Sequence, residues 1–67
     1  MADTLAAALP RAMVRVAGLI PIYRQAENGG LAAALMQASI DHAQEAIASG
    51  DVLAMLRAYH DLQGYEL

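Results

Sequence analysis

Few side chains in this 67-residue sequence are equipped for chemistry, so the first question is whether any of them converge. His42 and Glu45 stand three residues apart, a spacing that puts both on one surface of a helix, and His60 lies in a later segment. Bundle proteins do hold metals with helical carboxylate and histidine pairs, but several such pairs must meet at one point. The ligand set here is too thin, and two solvated histidines on polar faces are the expectation. No metal and no cofactor are expected.

Nucleophilic catalysis finds no better footing. The chain has no cysteine, which removes thiol chemistry, disulfides and thiolate zinc sites together. Thr4, Ser39 and Ser49 fall at helical or capping positions, and nothing in the spacing directs a histidine towards them. Asn28-Gly29-Gly30 follows no strand, so it reads as a chain reversal and not a phosphate cradle. The residue types argue against an enzyme.

What remains is recognition chemistry. Tyr23 and Arg24 belong to the residue types enriched at interface hot spots, and they precede the glycine break. Asp41 and Glu45, with Gln37 and Gln44, form an acidic row that suits docking on a basic protein surface. Tyr23, Arg24, Asp41 and Glu45 are therefore the candidate partner contacts. Each has an ordinary alternative, a core tyrosine in one case and a solvated helix face in the others.

These side chains must be positioned by helices. Ser49-Gly50-Asp51 reads as a helix stop followed by a cap for the next helix, so residues 31–49 and 52–62 form an antiparallel hairpin. Upstream, Leu5, Leu9, Met13, Val16 and Ile20 recur at spacings of three and four, which predicts a helix over residues 4–20 capped by Asp3 or Thr4. Pro10 should kink or break it. Pro21 opens either a short helix over 21–27 or a kinked extension. The adjacent glycines that follow favour positive φ angles.

In the helix over 31–49, Met36, Ile40, Ala43 and Ile47 share one stripe. In the last helix Val52, Leu53, Leu56, Tyr59 and Leu62 are expected to face inward. Met36, Ile40, Ile47, Leu53 and Leu56 are accordingly assigned to the hairpin core and the seam of a dimer. No strand-length alternation competes with this pattern. The fold class is all-α: one small domain, a helical hairpin or three-helix protein, expected to be a homodimeric bundle.

The dimer expectation comes from size and composition. Sixteen of the 67 residues are alanine, and there is no Phe or Trp. Alanine favours helix but buries little area, and chains this small seldom enclose enough core alone. The net charge of −3, with four arginines and no lysine, leaves no basic footprint for nucleic acid. Arg11 and Arg15 interrupt the most apolar window, which argues against a membrane span. The expected setting is the cytoplasm.

In size, in its Ala/Leu-rich helical make-up and in the Ala46-Ile47-Ala48-Ser49-Gly50-Asp51 hairpin, the whole chain resembles the quorum-sensing anti-activators encoded by Mu-like bacteriophages of Pseudomonas. That resemblance implies a small helical dimer that binds the DNA-binding domain of a LuxR-type activator and blocks promoter binding. It also implies inhibition of the motor ATPase of type IV pilus assembly. The alternative is a helical adaptor module of a larger assembly.

Overall fold

Two turns decide how this chain folds back on itself, and a computed structural model describes both within residues 4–66. Three helices result: α1 (Leu5–Gln25), α2 (Gly30–Ser49) and α3 (Val52–Gln63), with no strand among the described residues. Each helix packs on the other two, in a slab of 37 × 26 × 14 Å. Helix axes about 8–10 Å apart fill that smallest dimension with two layers.

The second turn forms as its residues dictate. Gly50 takes φ 71°, and its N–H reaches the carbonyls of Ala46 and Ile47 at 3.0 and 3.2 Å. The Asp51 carboxylate accepts the Ala54 N–H at 3.1 Å and caps α3. At the start of α1 the Thr4 hydroxyl accepts the Ala7 N–H at 3.2 Å, while Asp3 lies outside the described residues.

The first turn departs from expectation. Asn28, not a glycine, carries the positive φ of 64°. Gly29 has φ −89° and is required for a different reason: a Cβ there would stand 1.8 Å from the Tyr23 carbonyl oxygen. The chain turns so tightly under the end of α1 that only a bare Cα fits.

Of the two readings of Pro21, a separate short helix over 21–27 and an extension of the first helix, α1 is the extension. It runs unbroken through Pro10 and Pro21 to Gln25. A proline frees the carbonyl four residues earlier, here those of Ala6 and Ala17. Both prolines and both alanines are exposed, so water satisfies what the helix loses. By length and composition alone α1 could cross a membrane. In this fold its Leu9, Ala12, Val16 and Ile20 line the core.

Leu9, Val16, Met36 and Leu62 are the largest fully buried side chains, joined by Ala12, Ile20, Ala33, Ile40, Ala43 and Ala58. Met36 and Ile40 thus sit in the core as expected. Leu53 and Leu56 do not: they are 57% and 50% exposed, with Val52 at 61% and Ile47 at 42%. Apolar residues occupy most of the circumference of α3, so periodicity could not choose its inward face. The position of α1 chooses it: Met55, Ala58, Tyr59 and Leu62 turn towards α1 and α2, and Leu53 and Leu56 are left outside.

Candidate protein-binding surface

Between α2 and α3 lies an open groove of about 540 Å³. Its floor is built from Ala46, Ala54 and Ala58, whose short side chains leave room between the helix backbones. His42, Glu45 and Ser49 rise from α2, and Arg57 and Asp61 from α3. The walls therefore carry both signs of charge above a small-residue floor.

The α2 wall continues beyond the groove. Leu31, Leu35, Ala38, His42, Glu45 and Ser49 recur at spacings of four and three, which aligns them on one helical stripe, and every one is exposed. Leu31 and Leu35 leave 73% and 51% of their surface in water. The stripe is apolar near the start of α2 and polar where α3 flanks it. Two large leucines on a solvated stripe are costly to solubility and suit a protein partner.

Of the four candidate contacts, Glu45 lines this groove. Asp41 is exposed nearby on α2, and its carboxylate accepts a hydrogen bond from the Gln37 amide at 3.0 Å. Arg24 is exposed in the last turn of α1. Tyr23 has a job inside the chain: its hydroxyl donates to the Glu66 carbonyl. The structure does not gather the four into one patch. Asp41 lies eleven positions beyond Gly30, where α2 leaves the α1 end, roughly 16 Å along the axis at helical rise.

Tyr23 belongs instead to a clamp on the C-terminal tail. The Arg15 guanidinium donates to the carbonyls of Leu62 and Tyr65, each at 2.7 Å, and to the Gln63 side chain at 3.4 Å. A cation on the last carbonyls of α3 satisfies orphan acceptors and complements the helix dipole. The hydroxyls of Ser39 and Tyr65 meet at 3.0 Å. Sequence reasoning saw Arg15 only as a charge interrupting an apolar window and Ser39 only as a helical position. A serine on the buried stripe of α2 was the available signal, because a buried hydroxyl needs a partner.

The other polar candidates have structural duties or no convergence. Ser49 Oγ donates to the Ala46 carbonyl at 3.1 Å, ordinary punctuation at a helix end. His42 and Glu45 share the groove with the Arg57 cation, and His60 is not among its lining residues. Among the described residues no three His, Asp or Glu side chains gather in a metal-holding group. What the surface offers is shape, apolar area and mixed charge, the materials of protein recognition. Comparison with family models, with characterised proteins and with solved structures finds no match.

Proposed function

We propose that this chain is a non-enzymatic inhibitor that works by covering the surface of a partner protein. The observation that supports this reading is the α2 stripe: Leu31 and Leu35 stay exposed although the chain has closed a core beneath them. The polar end of the stripe, with His42 and Glu45 beside Arg57 and Asp61, supplies charge selection at the groove. Asp41, exposed nearby on α2, is a further contact, whereas Arg24 stands in the last turn of α1, away from the groove.

The partner proposed is the DNA-binding domain of a LuxR-type activator, following the resemblance drawn from the sequence, with the type IV pilus assembly ATPase as a second target. Both partners work in the cytoplasm, which sets the location of this chain. A DNA-reading domain is basic, and Asp41 and Glu45 present carboxylates to it in place of phosphates.

The test uses purified activator bound to a fluorescent promoter duplex. Added chain should release the duplex, and Leu35→Glu with Glu45→Arg should lose that effect while keeping the wild-type circular dichroism. A promoter occupancy that saturating chain leaves unchanged, with no complex formed, would refute the activator as target. Stable association without loss of promoter binding or of ATPase activity would instead favour the adaptor reading.

A further inference from the structure

We propose that the outer face of α3, carrying Val52, Leu53 and Leu56, is the seam on which a second copy of this chain docks. The proposal rests on the binding-module reading above and assigns the dimer expected from size and composition to a face of α3 that meets the partner groove at Arg57 and Asp61. Val52 and Leu56 are four residues apart and Leu53 and Leu56 three, so all three side chains share one side of α3. They are the densest group of exposed large apolar residues in the chain.

Their exposed fractions correspond to about 300 Å² of apolar surface, at the level where a patch on a monomer marks an interaction site. A two-fold axis through the patch brings two such areas together, about 600 Å² of apolar contact. Specific interfaces begin near 1,200 Å² in total, and their centre is the apolar part. The rim completes the area: His60 and Gln63 continue the row from Leu56 at spacings of four and three, with Arg57 and Asp61 at its edge.

The charges on this rim point to a copy of the same chain. Asp51, Arg57 and Asp61 give it both signs within three turns of helix. A self-complementary interface sets each surface against itself, so a mixed rim finds opposite charges across the axis. A partner of single sign would meet repulsion from one of them. The core adds a second argument. Four of the ten residues in the buried cluster are alanine, so the monomer has little apolar area inside and a reserve of it on α3.

Light scattering on the full chain tests this first. The wild type should show about twice the 7.1 kDa of one chain, and Leu53→Glu with Leu56→Glu should show one chain's mass with wild-type helicity, since both side chains are already half in water. Val14→Glu is the control: Val14 is 74% exposed on α1, beside Pro10, and its variant should keep the dimer.

Cross-linking covers the case in which the charged variant unfolds. The chain has no cysteine of its own, so Leu56→Cys and Val14→Cys each carry a single thiol. Mild oxidation should join Leu56→Cys chains at least about tenfold faster than Val14→Cys chains, because only the first are held together at the thiol. Equal rates, a wild type of one chain's mass at every concentration, or a dimer that survives the double charge substitution would each overturn the proposal. Duplex release by activator is measured separately, so loss of the dimer with retained inhibition would sink the seam's role and leave the inhibitor reading standing.

Discussion

The two turns of this protein are both punctuated by glycine, yet they use glycine for opposite reasons. At Ser49-Gly50-Asp51 the residue is needed for its dihedral angle: φ is 71°, and nothing lies within 4 Å of where a Cβ would stand. At Asn28-Gly29-Gly30 the dihedral of Gly29 is ordinary, and the residue is needed because the Tyr23 carbonyl occupies the place of its Cβ. One turn asks for conformational freedom and the other for empty space. The difference teaches that a glycine in a sequence announces a turn without saying which of the two properties the turn consumes.

Asparagine separates them, because it tolerates the left-handed region but brings a Cβ. Gly29→Asn and Gly29→Ala should both be severe, on the order of 3 kcal/mol or more, since the obstacle is backbone and cannot swing aside. For a domain of this size that is a large share of the total stability. Urea melts followed by circular dichroism would show it as a collapse of the midpoint, and a Gly29→Ala midpoint near wild type would mean the turn opens easily. Gly50→Ala should cost about 1–2 kcal/mol from the left-handed angle alone, and Gly50→Asn clearly less. Equal losses at Gly50 for alanine and asparagine would erase the distinction between the turns.

Smaller effects sharpen the same contrast. Asp51→Ala removes the side-chain cap of α3 and should lower stability by about 1 kcal/mol in the same melts. Asn28→Gly should raise it by a few tenths of a kcal/mol at most, relief of the positive φ being offset by the freedom gained in the unfolded chain. A clear loss on Asn28→Gly would show that the asparagine side chain does something there beyond turning the backbone.

Legibility in the sequence followed the same division between local and non-local causes. The hairpin turn, the bounds of α2, the Thr4 cap and the burial of Met36 and Ile40 follow from neighbours within a few residues, and they could be read. The unbroken run of α1 could not, because it depends on which side of the helix Pro10 and Pro21 face once α2 and α3 are in place. The exposure of Leu53 and Leu56 depends likewise on where α1 lies. At the candidate surface, Glu45 was visible as an exposed acid, whereas Arg57 and Asp61 reach the groove only through the packing of α3 on α2. Tyr23 looked free because its acceptor, the Glu66 carbonyl, lies 43 residues away.

That separation also has a kinetic side. Each turn closes a short loop, and the α2–α3 pair can form with little chain to search. The bonds from Arg15 to Leu62 and Tyr65 span 47 and 50 residues, nearly the whole molecule. Such bonds should form late, after the folding barrier has been crossed. Arg15→Met is then expected to leave the refolding rate close to wild type and to accelerate unfolding by about the full loss in stability, a φ-value near zero in stopped-flow chevrons. On that account the tail clamp contributes little to how fast the protein reaches its native state and much to how long it stays there.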